Sequence, residues 1–173
     1  MLKKDKAMID KIAKNKSVSK YLRSKTCTEM QFIAGDWHAV TDSMRIFATK
    51  EDPGYEVNTM NLARYMEYNL DEMIPAEVDI EDLKSFSKGW RPYNKPYFIE
   101  AGEYIVAINP KYLLDQLAFT RSTTIYISID RDKLREIPAG YKVVYPVYSF
   151  GADKMALTCP VNFDGDSIRR QAA

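Results

Sequence analysis

Residues 102–119, GEYIVAINPKYLLDQLAF, decide how the chain folds. An apolar strand runs into Asn109-Pro110 and then into an amphipathic helix. Asn109 suits the N-cap, and proline is preset for a first helical turn. Leu113, Leu114 and Leu117 fall at helical spacing and predict the buried face. The corner carries no glycine-rich loop and no catalytic side chain. Upstream, YFIEAGEYIVAI (97–108) reads as a tight hairpin around Ala101-Gly102. Downstream, TTIYISID (123–130) alternates, with Ile125, Ile127 and Ile129 on one side. YKVVYPVYSF (141–150), a turn at Gly151 and DKMALTCPV (153–161) complete a run of strands.

The first part of the chain partly echoes this order. Residues 3–14, KKDKAMIDKIAK, predict a helix with Met8, Ile9, Ile12 and Ala13 on one face. Lys4, Lys11 and Lys14 lie opposite, with Lys3 at the edge. Asn15 is expected as a left-handed stop and Ser17 as the cap of another short turn. CTEMQFIAGD (27–36) predicts a strand with Met30, Phe32 and Ala34 inward, turning at Gly35-Asp36. WHAVTDSMRIFATK (37–50) supplies one long strand or two short ones, and EDPG (51–54) a turn. NTMNLARYMEYNLDEM (58–73) predicts a helix closed by Pro75. Asp79 caps a second helix over 79–86. SKGWRPYNKP (87–96) is a loop, with Trp90 packed beneath it.

One domain over 1–173 accounts for this order: a first repeat at 3–54, an insertion at 55–96, a second repeat at 97–163 and a polar tail at 164–173. The expected fold is α+β, an antiparallel sheet with helices packed on one face and two βαββ-type repeats.

Charge is unevenly spread. The chain holds 25 basic and 24 acidic residues, yet residues 1–25 carry +7 and the other 148 carry −6. Such polarity favours a polyanion at one surface and repels it elsewhere. No apolar run approaches the roughly 20 residues that span a bilayer. The lysine-rich start lacks a long apolar segment after it, so no signal peptide is expected. Two distant cysteines, Cys27 and Cys159, fit a reducing cytoplasm.

Enzyme motifs are absent. There is no GxxxxGK[ST] and no GxGxxG, and a single histidine argues against a Cys/His zinc site. The acidic run EVDIED (77–82) reads as a solvated helix start as readily as a Mg²⁺ site. No cofactor is expected. An enzyme centred on His38 and Asp42 is an alternative reading, as is a module that binds protein through Trp90 and Tyr93.

The unit GEYIVAINPKYLLDQL, followed by TTIYISID and closed by MALTCPV, resembles the last repeat of the bacterial sliding clamp, the beta subunit of DNA polymerase III. WHAVTDSMRIFATK resembles that family's TDGHRLA strand: Thr41, Asp42 and Arg45 match, Ser43 and Met44 replace Gly and His, and Ile46 stands for Leu. The resemblance covers about residues 3–50 and 97–163. Cys159-Pro160 stands where the family ends in Met-Pro.

The resemblance implies a DNA-clamp-like domain that performs no chemistry. It would hold duplex DNA without reading sequence, as a processivity factor tethering replication or repair proteins. The implied DNA-facing residues are Lys3, Lys4, Lys11, Lys14 and Lys111. The implied pocket for a short apolar peptide of replication partners is Thr41, Arg45, Ile46, Cys159, Pro160 and Val161. A clamp chain carries three such domains and this chain has material for one. A ring therefore implies a homo-oligomer, of six copies where the family uses six domains. If the fold instead serves protein interaction, a phage or mobile element is a natural setting.

Overall fold

The computed structural model describes residues 1–15, 30–58, 66–102, 104–128 and 146–161. Ser17, Cys27, Ile129 and the tail fall outside these residues. Helix α1 (Lys3–Ala13) opens the chain, followed by β1 (Met30–Ala34), β2 (Trp37–Thr41), β3 (Arg45–Thr49) and β4 (Glu56–Val57). Next come β5 (Met73–Glu77), α2 (Ile80–Ser87), β6 (Tyr97–Ala101) and β7 (Tyr104–Ile108). Helix α3 (Pro110–Thr120), β8 (Thr124–Ser128), β9 (Val147–Gly151) and β10 (Lys154–Thr158) complete it.

The architecture is mixed α+β. Eight strands form one sheet in the order β4-β1-β2-β3-β10-β9-β8-β5, and β6-β7 form a separate ribbon. β1-β2-β3 is one antiparallel meander and β8-β9-β10 another. They join through β3 and β10, which pair antiparallel from Arg45↔Thr158 to Thr49↔Lys154.

Local chemistry explains the elements that hold. Asn109 Oδ1 accepts the N–H groups of Lys111 and Tyr112, and Asp79 Oδ1 those of Glu81 and Asp82. Both helices therefore start with their exposed donors satisfied. Gly35 takes φ +63°, as its tight turn requires. Helix α3 stops at Arg121, a left-handed C-cap that a side chain adopts at some cost.

The apolar residues sort onto two faces. Ile9, Ile12 and Ala13 of α1 and Phe119 of α3 bury against Val40, Phe47 and Ala156. Leu113 and Leu117 of α3 bury against Ile125, Ile127 and Val147 on the same face. The opposite face is also apolar: Phe32, Ala39, Ile46, Ala48, Tyr148, Met155 and Leu157 form a separate buried cluster with Met66. Strands β3 and β10 are consequently buried on both sides.

Four expectations need correction. The sheet is not wholly antiparallel, because β4 pairs parallel with β1 at one edge. The hairpin of β6 and β7 does not extend the main sheet. Leu70–Glu72 is a short 3₁₀ turn, and Met73 begins a strand where a helix was expected. Pro75 therefore closes no helix: it lies in β5, the sheet's edge strand, where a missing N–H is tolerated. Asn15 is not left-handed; α1 ends on Lys14 at φ −100°, and the Asn15 side chain turns to Asp42.

Gly151 marks the closest approach of helix and sheet. A Cβ there would lie 2.1 Å from the Thr120 carbonyl oxygen, far inside contact distance. The obstacle is backbone, so it cannot rotate away. Gly151→Ala is expected to cost about 1–3 kcal/mol in urea unfolding, as overpacking does. An unchanged midpoint would mean that α3 shifts freely at its last turn.

Candidate nucleic-acid interface

Helices α1 and α3 lie side by side on one face of the sheet, running antiparallel. Two contacts fix the direction: Arg121 Nη2 reaches Asp5 at 3.1 Å, while Lys11 Nζ reaches Asp115 at 2.6 Å. Asp5 is itself buried, and Lys154 of β10 lies 2.7 Å from it. Phe119 stacks on Phe47 at 4.8 Å between ring centres, pressing α3 onto β3.

Lys3, Lys4, Lys11, Lys14 and Lys111 are all exposed. Only Lys11 of these five pairs with a carboxylate among the described residues. Lys6 is partly covered and bonds Asp10, which Tyr55 also reaches. Burial alone would lower the Lys6 ammonium, but its bonds to Asp10 and Tyr55 overrule that and hold it charged further up in pH. Over residues 3–14 five lysines face two aspartates, so the helix carries a positive outer surface.

The β2–β3 turn holds a buried charge network. Asp42 Oδ2 accepts from Arg45 Nε at 2.9 Å and Nη2 at 2.8 Å, and from Asn15 Nδ2 at 2.7 Å. Asp42 Oδ1 accepts the backbone N–H groups of Met44 and Arg45. These bonds support Ser43 at φ +72°. Arg45 Nη1 reaches Asp115 at 2.9 Å, and its guanidinium lies 3.9 Å over the Tyr112 ring. The network links the end of α1, the turn and α3.

Of the six expected pocket residues, Thr41 pairs with Ile46 across β2 and β3, while the Arg45 side chain turns to the opposite face, against Asp115 and Tyr112. Arg45 and Ile46 pair with Thr158 and Leu157, and Cys159 N–H donates to Met44 O at 2.8 Å. Thr41, Arg45, Ile46 and Pro160 are buried, whereas Cys159 and Val161 are half-buried. Burial pushes the Cys159 thiol up, and the nearby Asp42 charge adds to it. Sequence reasoning missed Asn15 as a partner of Asp42, and Tyr112 and Asp115 as partners of Arg45, because Asp115 is 70 residues away from Arg45 in the chain.

His38 and Asp42 are not brought together. His38 Nδ1 bonds Gln31 Oε1 at 2.9 Å and lies 4.0 Å from Asp52, while Asp42 is occupied by Arg45 and Asn15. Gln31 Nε2 donates to Asp52 and to Tyr55 O, so its oxygen faces the histidine and assigns the proton to Nδ1. No group of three or more metal-binding side chains occurs among the described residues. No described helix is long and apolar enough to cross a membrane. The chain matches no protein-family model, no curated protein and no solved structure.

Proposed function

We propose that this chain is a clamp-like tether that holds duplex DNA without reading its sequence and keeps replication or repair proteins on it. The observation that carries this reading is the pair of helices α1 and α3. They share one face of the sheet and point Lys3, Lys4, Lys14 and Lys111 to solvent. A duplex is a rod of closely spaced phosphates, and lysines on parallel ridges meet it through long-range, interchangeable contacts. Contacts of that kind hold without fixing register, so the protein slides. The strand order adds support: a helix and its three-stranded meander occur twice, meeting at β3 and β10. One such domain cannot surround a duplex, so the reading includes self-association into a ring of six copies. The peptide pocket belongs to the same proposal in narrowed form. Arg45 is engaged on all sides, which leaves Met44, Cys159 and Val161 as the available apolar surface.

Duplex affinity measured by anisotropy against salt tests the reading. Affinity is expected to fall steeply with salt and to be equal for unrelated sequences. Replacing Lys3, Lys4 and Lys14 together with alanine is expected to reduce the log–log slope by about 2.7, from 0.9 per phosphate contact. Salt-insensitive or sequence-dependent binding would overturn the proposal. Native mass spectrometry showing a strict monomer with and without DNA would remove the ring.

A further inference from the structure

The loop after α2 forms a second surface of different chemistry. Residues 84–98 contain Lys84, Lys88, Arg91 and Lys95 and no acidic residue. They also contain Phe86, Trp90, Tyr93, Tyr97 and Phe98. A hollow of about 360 Å³ opens here, lined by Phe86, Lys88, Gly89, Trp90, Asn94 and Lys95. That is near the lower end for small-ligand sites and suits one planar ring with its charged attachment.

The hollow is held in shape. Trp90 is buried, and its indole N–H donates to Lys95 O at 2.9 Å, which fixes it as the floor. Phe86 stands against Tyr97 in an edge-to-face contact at 5.2 Å. Gly89 at φ +68° turns the chain. Arg91 N–H donates to the Asn94 side-chain oxygen, and Asn94 N–H returns to Arg91 O. With that oxygen used, the polar side-chain groups lining the hollow are donors: the ammonium groups of Lys88 and Lys95 and the Asn94 amide. The nearby carboxylates sit at the other end of α2, where Glu81 bridges Lys84 and Asp82 accepts from the Tyr97 hydroxyl. The last carbonyls of α2 are already engaged by Ser87 Oγ, Lys88 N–H and Trp90 N–H.

Tyr93 stands at the tip of this loop with 85% of its surface exposed, the most among the exposed large apolar residues. An exposed ring flanked by cations offers a flat apolar face and a positive surround together. We infer that residues 86–95 bind single-stranded nucleic acid, with bases stacked on Tyr93 and Phe86 and phosphates on Lys88, Arg91 and Lys95. Aromatic platforms interleaved with cations suit a flexible strand, whose unpaired bases offer a flat face wherever a ring waits. A duplex hides those faces. An acidic peptide would satisfy the cations and leave the rings unused. This inference does not depend on the helix-face proposal.

The test uses the intact protein and a labelled oligo(dT), with an abasic oligonucleotide of equal charge and poly-glutamate as competitors. Oligo(dT) is expected to bind about tenfold or more tightly than the abasic strand, given the usual gain from stacking one base. Tyr93→Ala is expected to remove most of that difference, leaving the share of Phe86, with abasic binding unchanged. Lys88→Ala with Lys95→Ala is expected to lower the single-strand salt slope by about 1.4, from 0.7 per contact. Lys3→Ala with Lys4→Ala is expected to weaken oligo(dT) and the abasic strand alike and to leave their ratio as it was, which separates the stacking site from the helices. Tyr93 is fully at the surface, so its replacement does not threaten folding. The inference is overturned if the wild type binds no oligo(dT) in low salt, if it binds the abasic strand equally well, or if poly-glutamate competes as effectively.

Discussion

Asp42→Ala is expected to destabilise the protein by about 3–5 kcal/mol, the range for removing one partner of a buried ion pair. The reason lies in what remains behind. Asp42 has no exposed surface and Arg45 only 3%. Without the carboxylate, the guanidinium keeps Asp115 on one side and the Tyr112 ring beneath it. Its Nε and Nη2 lose their acceptor. The backbone N–H groups of Met44 and Arg45 lose theirs as well, and Ser43 loses the bonds that hold its left-handed backbone. Asp42→Asn keeps an acceptor for the turn and discards the charge, so a smaller loss is expected. Replacing Asp42 with Leu and Arg45 with Met together should cost less than the single alanine change, because no bare charge is left inside. Denaturant unfolding of the three variants checks this order. A loss below about 1 kcal/mol for Asp42→Ala would show that Asp115 alone satisfies the arginine.

Phe119→Ala is expected to cost a similar amount, about 3–5 kcal/mol, as large aromatic deletions in a core do. Phe119 has no exposed surface and stacks on Phe47. It shares its cluster with Ile9, Ile12 and Ala13, so it is also the surface on which α1 rests. A helix of 11 residues is marginal by itself and persists through packing. The loss should therefore concentrate on α1. Amide exchange at Ile9, Ile12 and Ala13 is expected to accelerate more than at Ile125 or Ile127, which lie in the other cluster on that face. Uniform acceleration across both clusters would mean that α1 is not a separable layer. Duplex affinity should drop alongside, since the lysines ride on this helix.

Much of this architecture is written in short-range chemistry. Asn109-Pro110, Asp79 and the glycine turns announce themselves, because each satisfies a local backbone need. The alternation of Ile125 and Ile127 likewise marks one buried face. The reading fails where distant residues decide. Nothing near Met73–Glu77 shows that β8 waits beside it, so Pro75 reads as a helix stop. Asn15 carries the right side chain for a left-handed end, but Asp42 competes for its amide. The lysines of the candidate interface were visible as a charge run. Their grouping with Lys111 depends on α3 lying antiparallel to α1, which no local pattern states. The hollow beside Trp90 was likewise hidden, although its aromatic and basic residues stand close together in the chain.

The central seam also has a consequence for biosynthesis. β3 and β10 are paired, yet they lie roughly 110 residues apart along the chain. While the ribosome is still making the later part, Ile46, Phe47 and Ala48 have no permanent neighbour on that side. Contacts this remote form late and slowly, and an unfilled apolar strand invites the wrong chain to fill it. Yield in a host cell should then follow growth temperature and chaperone supply more closely than the finished molecule's stability would suggest.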